Sequence, residues 1–370
     1  MVRAVLWYPV YAISFLLAGG VSGQEVGPAE KARQLVDGHV ANKDVMGIAA
    51  GFSINGETAW EYAAGFADKE AAQAFEVGTL TRIASIAKPM TAIAVMQLVE
   101  QGKVDLDAPI QTYLPKFPVK PEGTVTVRQI LQHTSGLGAY KSTKEQENSI
   151  HYASLTDALA IFQDRKLIAA PGAAFNYTSY GYVVLGAMIE AVSGMSYAEY
   201  MRTHIWERAG MSNTGVEIVA KRSQRNAALY QANGKGKLSR STPTDLSDRI
   251  PGGGLTSNLS DMLNFGEAVL NGILIKRTTL ELMLTDPGVK ADGNGYGLGW
   301  YLYGVNPVHG PVFGHNGAQT GSSAFLMVLP QVSTVVVVLS NTSGAMPAVT
   351  DITIKLFDIA AEVAAEGTTK

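Results

Sequence analysis

Two pairs of β-like segments stand near opposite ends of this chain with helical patterns between them, and a sheet that must draw on both ends is the tightest constraint on its fold. Near the start, Ile48 to Ile54 and Thr58 to Gly65 flank Asn55-Gly56, and Asn-Gly accepts the positive φ angles of a two-residue turn, so the spacing predicts a hairpin. Near the end, Ser323 to Leu329 and Thr334 to Leu339 are separated by Pro330-Gln331. Between the pairs, helical patterns run over Ser85 to Gln101, Leu155 to Phe162, Tyr180 to Val192, Tyr197 to Ala209 and Leu259 to Leu270. A last segment, Ala348 to Ala365, reads as a helix across the sheet, with Ile352, Ile354, Leu356, Phe357, Ile359 and Val363 as its apolar contacts.

With 370 residues, 46% of them hydrophobic, the chain has material for a substantial core. A net charge of -3 gives no electrostatic reason to expect nucleic acid or an anionic membrane as partner. The basic residues Lys221, Arg222, Arg225, Lys235, Lys237 and Arg240 sit among glycine, serine and asparagine and read as a solvated loop. Residues 1–23 read as a secretory signal: Arg3 supplies the charged start, Ala4 to Ala18 the apolar run, and small residues end at Gly23. That run is shorter than the roughly 20 residues of a spanning helix, so no membrane insertion is expected after cleavage and the mature protein is expected to be periplasmic or secreted. There is no cysteine, hence no disulfide. Neither an H-E-x-x-H pattern nor a cysteine cluster occurs, so neither a metal nor another cofactor is expected.

The chemistry begins at Ser85, Ile86, Ala87 and Lys88, an S-x-x-K tetrad at the head of a helical pattern. Residues three apart on a helix are surface neighbours, so a nucleophile and a proton acceptor share one face. The lysine can accept a proton only as a neutral amine, and its flanking residues Ile83, Ala84, Ile86, Ala87 and Met90 supply the apolar surroundings that disfavour the ammonium form. Downstream lie Tyr177 and Ser179, two apart, and later Gly314-His315-Asn316-Gly317-Ala318 ahead of the final β-like pair.

In this order the three motifs resemble those of the serine β-lactamase and penicillin-binding protein superfamily, in its class C and D,D-peptidase-like branch. Ile130 to Leu137, Pro251-Gly252-Gly253-Gly254-Leu255 and Tyr296-Gly297-Leu298-Gly299-Trp300 are similar to further segments of that group. The resemblance implies an α+β fold: an antiparallel sheet flanked by helices, joined to an all-helical subdomain, with a catalytic cleft between them. It would make residues 24–370 one catalytic domain, with an α/β subdomain from about 24–80 and 290–370 and a helical one over about 90–285. It implies Ser85 as nucleophile, Lys88 as its partner and Tyr177 as the group that moves a proton to the leaving group. The backbone N–H groups of Ser85 and Ala318 would form the oxyanion hole, and Ser179, His315, Asn316, Gly317 and Tyr140 would line the substrate.

Two positions depart from the commoner pattern. Ser179 stands where asparagine is usual and offers one hydroxyl in place of an amide. His315 stands where lysine is common, so a protonated imidazole is expected to hold an anionic group and to help stabilise a Tyr177 phenolate at low pH. His133 reads as structural. The function expected is that of a serine hydrolase acting on a small-molecule or short-peptide substrate, as a β-lactamase or D-amino-acid peptidase, with a carboxylesterase of the same fold as the alternative. A catalytically silent protein that binds cell-wall fragments is the alternative of another class.

Overall fold

The computed structural model describes residues 26–367 except 235, 289, 292 and 308–309; the expected signal segment 1–23 lies outside them, as does Lys235. Nine strands of the main sheet, numbered in chain order, are β1 (Gly47–Ile54), β2 (Glu57–Asp68), β3 (Gln73–Ala74), β4 (Lys290–Ala291), β5 (Asn294–Tyr296), β6 (Tyr301–Asn306), β7 (Gly310–Gln319), β8 (Ser322–Leu329) and β9 (Thr334–Ser340). Their order across the sheet is β3-β2-β1-β9-β8-β7-β6-β5-β4, antiparallel throughout. The two ends of the chain therefore meet at the β1/β9 pair, in register from Ile48 opposite Ser340 to Ile54 opposite Thr334. The hairpin turn has φ 53° at Asn55 and 88° at Gly56, the positive pair that Asn-Gly accepts.

Both faces of the central strands are buried, and successive residues serve different layers as a period of two requires. Val335, Val337 and Leu339 of β9 face one core, while Val336 and Val338 face the other. The longer helices are α1 (Pro28–Ala41), α2 (Ala87–Glu100), α3 (Ser179–Ser193), α4 (Leu259–Leu270) and α5 (Met346–Gly367), and of these α1, α4 and α5 pack on the central strands. α1 and α5 share one core with Ile48, Phe52 and Val338, and α5 contributes Ile352, Leu356, Phe357 and Ile359 to it. Ile354 instead faces solvent. On the opposite face, α4 lies so close to β9 that a Cβ at Gly266 would stand 2.4 Å from a Val335 methyl.

α2 is the spine of the helical layer. Every residue from Ala87 to Leu98 is buried, because an all-round apolar helix has no face to give to solvent. α3 packs beside it, capped at its start by Thr178 and at its end by Gly194 in the left-handed conformation. The pattern over Tyr197 to Ala209 yields a short helix, Tyr197–Met201, followed by a π-type turn over Arg202–Trp206, and the pattern at Leu155 ends at Leu159. In the expected solvated loop, Arg222 pairs with Glu217, and Arg240 with Asp68 and Glu70. No described helix is long and apolar enough to cross a membrane.

A small sheet sets up the site. Its middle strand, Leu255–Ser257, pairs with Thr81–Arg82 on one side and Gly215–Val216 on the other. The first neighbour leads into the turn that carries Ser85, and the middle strand is preceded by Pro251-Gly252-Gly253. Two segments far apart in sequence thus arrive side by side.

Candidate active site

Ser85 sits in a 3-10 turn, Ala84–Ile86, placed just before α2. Ala84 has φ 48°, a left-handed conformation that costs a non-glycine residue on the order of 1 kcal/mol or more and turns the chain sharply into the helix. Lys88, one helical turn on, is fully buried. Its Nζ lies 3.1 Å from Ser85 Oγ, 3.1 Å from Ser179 Oγ and 2.7 Å from the Gly252 carbonyl oxygen. The carbonyl can only accept. A neutral amine has two N–H groups and one lone pair, so donation to Gly252 and Ser179 leaves the lone pair facing the Ser85 hydroxyl. Burial, with a smaller push from the Arg249 charge, holds the Lys88 amine well below its ordinary range. The arrangement can take a proton from Ser85.

Tyr177 and Ser179 flank Thr178, and three hydrogen bonds hold that residue. Its N–H donates to His133 Nδ1 at 3.2 Å, its hydroxyl donates to the Gly138 carbonyl at 3.0 Å, and the same hydroxyl oxygen accepts from the Tyr180 N–H at 3.1 Å as the cap of α3. His133 is fully buried, and its ring lies 4.3 Å from that of Tyr177. The His133 carbonyl also accepts from the Asn176 N–H at 2.7 Å. The histidine is structural, and what it holds is the segment bearing Tyr177.

Tyr177 stands beside the Ser85–Lys88 pair, with Lys88 Nζ 4.7 Å from its ring centre. Burial, with a smaller push from Tyr301, raises the phenol well above its ordinary value, and the neighbouring Ser85 offsets this only in part. A resting phenolate held by cations, as the sequence suggested, is not what this environment favours: Tyr177 is a neutral phenol beside a buried amine whose charged form is itself disfavoured.

The strand β7 closes the site. Its pairing with β6 ends at Gly314, whereas its pairing with β8 continues to Gln319, so residues 315–319 have one edge turned toward the Ser85 turn. A Cβ at Gly317 would stand 2.6 Å from the Ile83 carbonyl oxygen and 2.9 Å from Ser85 N, so only glycine permits this approach. Ala318 follows and is exposed, Asn316 is half-buried, and Gln319 donates to the Gly253 carbonyl at 3.0 Å.

His315 is where the sequence expectation needs correction. Its side chain is fully buried. Nδ1 is 2.5 Å from the Asn316 carbonyl oxygen and so carries the proton, which leaves Nε2 to accept from the Tyr296 hydroxyl at 3.1 Å. Burial, reinforced by Lys88 once that amine is protonated at low pH and only partly offset by the Asn316 bond, takes its pKa down to about 3. A neutral imidazole sealed behind Tyr296 is not a protonated anion holder, nor does it supply charge to Tyr177. Tyr140 lies at the site's side, its ring 4.6 Å beneath the Arg249 guanidinium.

Several contributors were not read as functional from the sequence. The Gly252 carbonyl lay within a run noted only for its similarity to a family segment. Arg249 and Asp248, a buried pair with Nε–Oδ1 2.7 Å, carried no motif. Tyr301, whose ring is 4.9 Å from His315 and 6.5 Å from Tyr177, had no signal beyond an aromatic on a short strand.

Known proteins resemble this chain over most of its length. A sequence model of the Beta-lactamase family matches residues 32–361. The serine beta-lactamase-like protein LACTB, mitochondrial, of Homo sapiens is 28% identical over 77% of this chain and 69% of its own length. Esterase EstB of Burkholderia gladioli is 28% identical over 76% of this chain and 84% of its own. Among solved structures, the octameric penicillin-binding protein homologue of Pyrococcus abyssi superposes with TM-score 0.79 at 26% identity, covering 90% of this chain and 77% of that one. With an antiparallel sheet and helical layers arranged as in those proteins, the chain belongs to the beta-lactamase family and is an enzyme of its serine-hydrolase type.

Proposed function

We propose that this enzyme hydrolyses ester or amide carbonyls through an acyl intermediate on Ser85, with Lys88 as the base that takes the serine proton. One observation carries the reading: the Lys88 amine is fully buried, has no carboxylate among its hydrogen-bond partners and stands 3.1 Å from Ser85 Oγ, the setting that favours a neutral base. Ser85 Oγ bonds to the carbonyl carbon as its proton passes to Lys88 Nζ. The oxyanion is met by the N–H groups of Ser85 and Ala318, each such donor contributing about 3 kcal/mol to the transition state. When the tetrahedral intermediate collapses, the leaving group takes the Tyr177 phenol proton and the Lys88 ammonium restores it. Water then attacks the acyl carbon, gives its proton to Lys88 and releases the acid, and Ser85 is reprotonated.

Intact-mass spectrometry during turnover of a short-chain p-nitrophenyl ester, alongside nitrocefin and a D-Ala-D-Ala peptide, tests the reading. An acyl adduct is expected in the native enzyme and absent in Ser85→Ala. Turnover retained in Ser85→Ala would remove that residue from the mechanism. The three substrate types divide the reading into esterase, β-lactamase and peptidase, and EstB supports the first. Export to the periplasm or medium is proposed from residues 1–23 alone, and N-terminal sequencing of the mature protein, with Gln24 as the expected first residue, checks it.

A further inference from the structure

The basic groups of the site are all committed within the protein. Lys88 has no exposed surface and three partners. His315 is equally buried, with one nitrogen on the Asn316 carbonyl and the other on the Tyr296 hydroxyl. Arg249, almost fully buried, meets both oxygens of Asp248 at 2.7 and 3.0 Å, donates to the Gln146 carbonyl at 2.5 Å and stacks on Tyr140. Burial disfavours charge on Lys88 and His315, and Arg249 is matched by Asp248, so none of the three presents an unmatched positive charge. Beside Ser85 stands an aromatic cluster instead, with Tyr177 and Tyr301 half-buried and Tyr296 fully buried. Tyr177 and Tyr301 stand nearly parallel at 18°, with Tyr296 set edge-on at 86° to both. Ring faces carry the negative end of the aromatic quadrupole and meet uncharged groups better than anions.

We infer that the site is built for acyl donors that are uncharged on both sides of the scissile carbonyl, and that it discriminates against those bearing a free carboxylate there. This rests on the acyl-serine reading above. An anion brought into the cleft would lose its water beside a phenol wall, with no unmatched cation among these groups to replace that solvation. The low pKa of His315 acts in the same direction, since the imidazole stays neutral throughout the working pH range.

Two pairs of substrates matched in shape test the inference. On the leaving side these are the butyryl esters of 3-hydroxybenzamide and 3-hydroxybenzoate, and on the acyl side 4-nitrophenyl 3-carbamoylbenzoate and 4-nitrophenyl 3-carboxybenzoate. Each kcat/KM is divided by that ester's own hydroxide-catalysed rate, so that leaving-group reactivity cancels. The carboxamide of each pair is expected to be favoured by at least about tenfold. Asp248→Asn, which strips Arg249 of its counter-charge, is expected to shift both ratios toward the carboxylate. Equal rates within each pair in the native enzyme, or a preference for the carboxylate, would overturn the inference while leaving the acyl-serine reading intact. No turnover of any of the four esters, with no adduct on Ser85, would overturn that reading and the inference with it.

Discussion

Lys88 illustrates how one residue can cost stability and supply reactivity. A buried amine with its pKa held well down is a base at neutral pH, whereas a surface lysine is not. Lys88→Met keeps the length and removes the nitrogen. It should lower kcat/KM by about 10²- to 10⁴-fold, the usual contribution of a positioned general base, while Tm holds or rises. Unchanged turnover of the ester would show that the amine takes no proton. The two buried histidines make a second prediction at this scale. Burial lowers the pKa of both His133 and His315, so the unfolded chain binds protons that the folded chain does not. Stability is then fully present above the ordinary histidine value near 6.5 and is lost as pH falls toward the folded values. For His315, with its pKa near 3, the loss at pH 5 is about 2 kcal/mol. Urea unfolding at pH 7.5 and pH 5 measures it, and His315→Gln should narrow the gap. An equal gap in the variant would remove His315 as a source.

At the level of elements, what was legible in the sequence was local and what was not depended on distant segments. The Asn55-Gly56 hairpin, the α4 helix over Leu259 to Leu270 and the strand pair before α5 follow from turn chemistry and periodicity carried by adjacent residues. The S-x-x-K spacing gave the Ser85/Lys88 pair, yet the helix does not begin where the pattern begins, because Ala84 turns left-handed and holds Ser85 in a tighter turn. No periodicity reports that the Gly252 carbonyl meets Lys88 or that Tyr296 seals His315, since each contact joins residues from separate elements. Gly317 belongs to this scale as well, because its missing side chain sets the distance between β7 and the serine turn. Gly317→Ala would place a Cβ 2.6 Å from the Ile83 carbonyl oxygen and 2.9 Å from Ser85 N, pushing the strand away from the nucleophile. The expected outcome is a loss of about 10²- to 10³-fold in kcat with a near-native circular dichroism spectrum, as when an oxyanion donor is removed. A fully active variant would place the oxyanion donors elsewhere.

For the molecule as a whole, the site is a seam between the sheet and the helical layer, and Arg82 is the residue that closes it. The guanidinium is fully buried. It bonds Glu217 through Nε at 2.8 Å, the Thr244 hydroxyl at 3.0 Å and carbonyl at 2.8 Å, and the Thr320 carbonyl at 2.9 Å, while its own carbonyl accepts from Ser322 Oγ at 2.5 Å. Thr320 lies in the turn just after Ala318 and Gln319, so this side chain fixes the end of β7 to the strand that leads into Ser85. Arg82→Leu fills much of the same space and leaves Glu217 buried with Arg222 alone, together with three orphaned oxygens from Thr244 and Thr320. Breaking a buried pair from one side costs about 3–5 kcal/mol, so Tm should fall by several degrees. Activity should fall further than stability explains, because the relative position of β7 and the serine turn is what the arginine maintains. A folded fraction of Arg82→Leu assayed at low temperature separates the two effects. Full kcat there would reduce Arg82 to a contributor to stability, and a depressed kcat would show that the seam between the two layers sets the geometry of the reaction.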